Sequence, residues 1–142
     1  MRIIPADDRI GDCIAVRTAV FVGEQGIPEE LEVDDLDSPF ADCEHFLILD
    51  GDKPVGTFRA YPESEDTVHL QRLCVLKEYR GLGYGRAALS FTREHFRKKG
   101  FRRIVFGAQE TAIGFYEKCG CRVISDTFLD AGLPHRTMEL KI

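Results

Sequence analysis

An α/β layer architecture around a mixed sheet is the fold class this sequence predicts. Three observations lead there. Strand-like apolar runs alternate with helical patterns between residues 67 and 119, a hairpin signal stands ahead of them, and two more strand patterns close the chain.

Taken in order, "RII" at the N-terminus reads as a short strand. From about Asp8 to Val22, Ile10, Cys13, Ile14, Arg17 and Phe21 recur at helical spacing, which predicts a first helix. The acidic stretch after it is expected to hold a second, short one. "HFLILDGDKPVGTFRAY" reads as a β-hairpin turning at Asp50-Gly51-Asp52. "TVHLQRLCVL" is a further strand. A glycine-rich turn, "YRGLGYG", follows it and opens a helix that runs to about Lys99 or Gly100, where the glycine is a stop signal. "RRIVFGA" is a buried strand. In "TAIGFYEKCG", Ala112, Phe115, Tyr116 and Cys119 fall at i, i+3, i+4 and i+7, a short helix ended by Gly120. "RVISDTF" and "HRTMELKI" are expected to be strands flanking a loop, "LDAGLPH".

The 142 residues fit a single domain spanning 1–142, and a chain of this size hides roughly 68–70% of its unfolded surface. No repeat or linker divides it. No segment approaches the ~20 consecutive apolar residues that cross a bilayer, so the expectation is a cytoplasmic protein without a membrane partner. Five cysteines with no CxxC pair argue against a disulfide framework or structural zinc, and no metal is expected. The net charge of −5 is unevenly spread: residues 77–103 hold nine Lys or Arg against two acids, whereas residues 29–44 hold eight acids and no Lys or Arg. An acidic total, and no basic stripe interleaved with aromatics, exclude a nucleic-acid partner.

The glycine-rich turn carries the chemistry. Strand, turn and helix together aim unpaired N–H groups and the positive end of a helix dipole at one point, a place suited to a phosphate. Alternating glycines would let a diphosphate touch the backbone, with Arg80 and Arg86 adding charge; the plain alternative is a tight turn with no ligand. The P-loop pattern fails because no Lys-Ser/Thr pair follows the glycines. From Gly83, "GYGRAA" does satisfy G-x-G-x-x-A, but "KEYR" separates it from its strand, and too little chain follows for a two-half dinucleotide sheet.

"YRGLGYG", the preceding "LQRLCVL" and the later "AQETAIGFYEKCGCRV" together resemble the GCN5-related N-acetyltransferase (GNAT) superfamily. "AVFVGEQGIPEELEVDDLD", the "EH" before the hairpin and "FLDAGLPH" extend the resemblance over essentially the whole chain, toward the small bacterial branch typified by ElaA and YjcF. It implies a mixed central sheet with splayed parallel strands, helices on both faces, and acetyl-CoA as co-substrate. Pantetheine would lie in the splay as an added strand. By matching motif positions, the backbone of Leu73, Cys74 and Val75 would hold the pantetheine arm, with the Leu73 N–H polarising the thioester carbonyl. Arg80, Gly81, Leu82, Gly83, Tyr84, Gly85 and Arg86 would take the pyrophosphate. Gln109, Ala112 and Phe115 belong to the same cofactor site; Gln109 stands where many members carry asparagine. Tyr116 matches the tyrosine that protonates the departing thiolate, against the alternative of a core tyrosine.

The base that relieves the amine of its proton is the open position. His69 lies four residues before Leu73, on the same face if the strand alternates regularly, and matches the base of some relatives. Glu24 in "VGEQG" is a second candidate, with His45 and His135 also in view as surface or structural histidines, and water as a substitute for any of them. Cys74 is expected to be buried and inert. The acidic 29–44 run suggests a cationic acceptor, unless it is simply a solvated face. The resemblance thus implies an N-acetyltransferase acting on a small-molecule or peptide amine, as monomer or homodimer. An acyl-CoA sensor without turnover and a dinucleotide oxidoreductase are the alternatives.

Overall fold

A computed structural model describes residues 1–142. Four helices and eight strands follow the order β1 (Arg2–Pro5), α1 (Ile10–Arg17), α2 (Glu29–Glu32), β2 (Glu44–Asp50), β3 (Lys53–Pro62), β4 (Thr67–Val75), α3 (Tyr84–Lys98), β5 (Arg103–Gln109), α4 (Ile113–Lys118), β6 (Arg122–Val123), β7 (Phe128–Asp130) and β8 (Leu133–Lys141). The long first helical pattern divides: α1 runs on without a break into a π-helical stretch, Thr18–Glu24, in which the Gln25 N–H reaches back five residues to the Val20 carbonyl at 3.1 Å. Wide turns of this kind are frequent at functional sites.

The strands form one mixed sheet, ordered β1-β2-β3-β4-β5-β8-β6, with β7 also paired to β8. Every neighbouring pair is antiparallel except β4 and β5, which α3 joins by a crossover. That one parallel pair is short. It holds only from Thr67–Arg103 to His69–Val105; beyond it β4 stays with β3 while β5 stays with β8. The sheet therefore splits into two halves, and a wedge opens between Leu70–Val75 and Phe106–Gln109.

Alternation along the strands sorts the core onto two faces. Phe46 and Ile48 of β2 join Phe58, Leu70, Ile104, Phe106 and Met138 beneath α3, which contributes Ala88, Leu89 and Phe96. Leu47 and Leu49 turn the other way, to Cys13 of α1, while Cys74 meets Val16 and Val20 there. Helices thus cover both faces, as expected.

The C-terminal region departs from expectation. "RVISDTF" is not one strand: β6 has two residues, and Ser125 then turns its hydroxyl to accept the Thr137 N–H at 2.8 Å. "LDAGLPH" is not an open loop either. Its first residues complete β7, and Ala131 and Gly132, at φ of +51° and +79°, make the two-residue turn into β8. Positive φ at both positions is the twist-compatible hairpin turn.

Candidate active site

A cleft of about 870 Å³ occupies the wedge. One wall is β4 from His69 to Val75, the other is β5 from Phe106 to Gln109; the residues from Arg80 to Arg86 close one end, and the π-helical stretch with Ile27 and Leu31 roofs the other side.

The glycine loop has two different reasons for its glycines. Gly81 and Gly83 sit at φ of +76° and +89°, where a Cβ would meet no atom within 4 Å, so conformation rather than crowding demands them. Gly85 is crowded: a Cβ there would lie 3.2 Å from Cζ of Phe115, so α4's ring packs directly on α3's first turn. The close neighbour at Gly85 is thus an aromatic ring of the protein, which an added Cβ would have to push aside. The earliest bond of the helix runs from the Ala87 N–H to the Gly83 carbonyl, 3.0 Å, which leaves the amides just ahead of Ala87 without intrahelical acceptors at the positive helix end.

Arg80 does not stand free beside this cradle. Its Nη1 and Nη2 donate to the two carboxylate oxygens of Glu24 at 2.8 and 2.7 Å, and its Nε donates to the Val75 carbonyl at 2.9 Å. The guanidinium holds the Glu24 carboxyl below its ordinary range. While this pair stands, the Glu24 carboxylate is occupied by Arg80 and is not the free base that the sequence reading expected. Its neighbour Gln25 instead faces the cleft, where its side-chain amide is paired with that of Gln109 at 2.8 Å. Gln25 was missed in the sequence because a helix of regular pitch gives no reason to prefer it over Glu24.

Tyr116 lies between the rings of Phe106 (4.6 Å) and Phe115 (5.1 Å), on the face of the sheet that carries α3, and lines the cleft. Burial pushes its hydroxyl well above the ordinary tyrosine value, so it stays protonated at any physiological pH. Ala112 and Phe115 line the same wall.

Strand β4 corrects the placement of His69. Arg72 has φ of +59°, and between the pairs Arg59–Gln71 and Thr57–Cys74 two residues of β4, Arg72 and Leu73, face the single Phe58 of β3. Such a bulge shifts the alternation by one. His69 consequently shares its face with Gln71 and Cys74 and lies opposite to Leu73, not beside it. It stacks on Tyr61, ring centroids 5.1 Å apart, with Nδ1 3.3 Å from Glu63 Oε1. Cys74 is buried against α1, and that burial pushes its thiol far up, in accord with an inert cysteine.

His45 is outside the cleft, its Nε2–H donating to the Leu36 carbonyl at 2.9 Å. His135, by contrast, lines it.

The acidic run also has a structural explanation. Arg17, 1% exposed, donates to Glu32 Oε1 (2.7 Å) and to both oxygens of Asp37 (2.6 and 2.9 Å). Arg59, equally buried, donates to both oxygens of Asp34 (2.7 Å each) and to Asp37 (2.9 Å). Three of the eight acids are therefore counter-charges that fasten the 29–37 segment to the sheet. These three do not form a free anionic surface and lend a cationic acceptor no support.

A sheet split between parallel β4 and β5, with an anion cradle at the mouth of the split, defines the acyl-CoA N-acyltransferase class. The model of the Acetyltransferase (GNAT) family matches residues 17–121, and the chain belongs to that family. It is 38% identical over 133 residues to YjcF of Bacillus subtilis (strain 168), described as an uncharacterized N-acetyltransferase, covering 93% of this chain and 92% of the relative. A crystal structure of a protein described as an N-acetyltransferase from Lactobacillus plantarum superposes with a TM-score of 0.87 at 33% identity, over 99% of this chain and 97% of that one. Escherichia coli ElaA gives 0.82 at 24% identity, over 97% and 96%. At 15% identity, an aminoglycoside 6'-N-acetyltransferase complexed with coenzyme A shares the fold, with a TM-score of 0.78 over 99% and 97%. The dinucleotide oxidoreductase alternative is set aside by this membership.

Proposed function

We infer that the protein moves the acetyl group of acetyl-CoA directly to the amine of a small-molecule or peptide acceptor. The observation that carries this reading is the alignment of three parts along one slot: the amides of residues 81–86 at its mouth, the β4 bulge at Leu73 midway, and Tyr116 on its wall. The pyrophosphate occupies the helix end, where N–H groups and the dipole favour negative charge. Leu73, freed from regular pairing by the bulge, turns its N–H to the thioester carbonyl, where oxygen gains charge as the amine attacks. Tyr116 supplies the proton to the leaving sulfur. Arg80 meets the pyrophosphate only by exchanging Glu24 for it, one anion for another. Gln109, joined to Gln25, hydrogen-bonds the pantetheine amides from β5.

The acceptor enters from the face that carries α1, between the π-helical stretch and the β7–β8 hairpin. Two measurements test this reading. Calorimetry should show acetyl-CoA binding, and a panel of small and peptidyl amines should release thiol from it. Absence of acetyl-CoA binding overturns the reading; binding with no thiol release from any amine makes the protein a sensor instead.

A further inference from the structure

We propose that His135 is the general base of this site, taking the proton of the attacking amine on Nε2. The inference rests on the transferase reading above.

Four observations converge on it. His135 is 8% exposed yet lines the cleft. Its Nδ1 lies 2.8 Å from the Leu133 carbonyl. A carbonyl only accepts, so Nδ1 carries the hydrogen and Nε2 keeps its lone pair. The ring is held flat by Phe128, centroids 5.9 Å apart, and both rings lean over β5 at Gly107, the position where that strand has no side chain. A Cβ on Gly107 would stand 3.5 Å from Phe128 Cζ and 3.9 Å from His135 Cδ2.

Height along the slot separates this histidine from His69. β4 and β5 are in register at His69–Val105. Carried up both strands, with one residue absorbed by the bulge, that register sets Leu73 level with Ala108 and Gln109. Gln109 is the residue paired with His135. His69 is three to four residues lower, roughly 10–13 Å along the strand at ~3.3 Å per residue, near the closed end of the wedge. His135 also lies on the face opposite Tyr116: Gly107 and Gln109 point to the α1 side, whereas Phe106 and Ala108 join the core under α3. The base and the acid thus flank the slot from opposite sides, as a direct transfer requires.

Few charges face the imidazole. Asp130 lies on the same face of β7, two residues beyond Phe128. Glu110, after β5, accepts from the Thr127 hydroxyl, and Arg103 of β5 and Arg122 of β6 are both paired with Glu139. Arg72 and Glu32 line the far wall, 3.4 Å from each other.

In the step itself, the amine lone pair forms the C–N bond and the nitrogen's proton passes to Nε2 of His135. The C–S pair leaves on sulfur, which takes the proton of Tyr116. His135 then returns its proton to solvent and Tyr116 regains one, giving the amide and free coenzyme A.

The test is the pH profile of kcat/KM for the best amine, measured on the wild type, His135→Asn and His69→Gln, with acetyl-CoA affinity measured alongside. Asparagine keeps a donor near the Nδ1 position and removes the base. The expected result is a loss of about 10²–10⁴-fold in kcat/KM for His135→Asn, disappearance of its acid limb, unchanged acetyl-CoA affinity, and a limb retained in His69→Gln. His135→Gln serves the same purpose if the asparagine variant does not fold. An acid limb that persists without His135, or that vanishes with His69, overturns the proposal. A wild type that binds acetyl-CoA and releases no thiol overturns the transferase reading instead, and so the two failures are distinct.

Discussion

Replacing Arg17 with methionine isolates the ion network that fastens the acceptor-side wall. The methionine keeps much of the side chain's volume and removes its charge. Glu32 and Asp37, with side chains 3% and 4% exposed, would then share only Arg59, 2.9 Å from Asp37, and Arg72, 3.4 Å from Glu32. Removing one partner of a buried pair costs about 3–5 kcal/mol, because a desolvated charge is left behind. For a chain of this length that is a fall of roughly 10–20 °C in Tm. The pH dependence has a definite sign. Burial alone would raise Asp37, but hydrogen bonds from Arg17 outweigh it and hold the carboxyl far below its ordinary value. A depressed carboxyl contributes stability above its unfolded pKa and loses it as pH falls toward the folded one. The gap between wild type and Arg17→Met should therefore be widest near neutral pH and narrow in acid. Thermal unfolding at pH 7 and at about pH 2, below the ordinary aspartate value of ~3.9, measures this. A gap below about 1 kcal/mol at pH 7, the range of an exposed pair, would refute the reasoning.

Three further outcomes are expected. Gly83→Ala forces a side chain into the left-handed region at a cost of about 1–2 kcal/mol, and Gly85→Ala drives against the Phe115 ring; both should weaken acetyl-CoA binding in calorimetry, and only the second should be relieved by Phe115→Leu. Tyr116→Phe should lower kcat about 10²–10⁴-fold with acetyl-CoA affinity retained, and since burial raises the Tyr116 hydroxyl, the wild type should show no alkaline limb near the ordinary tyrosine value of ~10. Cys74→Ala should retain most of the thiol release in the same amine panel, since the wild-type sulfur is buried and its thiolate disfavoured; complete loss of activity in a folded variant would reinstate an acyl-cysteine route.

The strands and the glycine loop were legible because local pattern decides them. "HFLILD" and "GTFRAY" fall in β2 and β3 as the hairpin signal implied, and Phe115 and Tyr116 fall in α4, while Ala112 lies in the turn before that helix and Cys119 just beyond it. What escaped depends on residues distant in sequence. The bulge at Arg72 exists because β4 must leave β5 while remaining on β3, and nothing in "LQRLCV" marks it, so the face of His69 came out reversed. The acidic run resembled a surface because its cations, Arg17 and Arg59, arrive from α1 and β3. Gln25 carries no signal in the sequence because a π-helical turn, which rotates the side chains that follow it, leaves no periodic trace. Nothing in "YRGLGYG" marks the ring that abuts Gly85, because Phe115 comes from α4, some thirty residues on.

Amide hydrogen exchange with and without acetyl-CoA locates the cofactor directly. Acetyl-CoA should slow exchange at Leu73, at Val75 and across residues 81–86, while the β1–β2 edge is unchanged. Binding that leaves the amides of residues 81–86 unprotected would contradict the placement of the cofactor in the wedge, and with it every role assigned to the residues that line it.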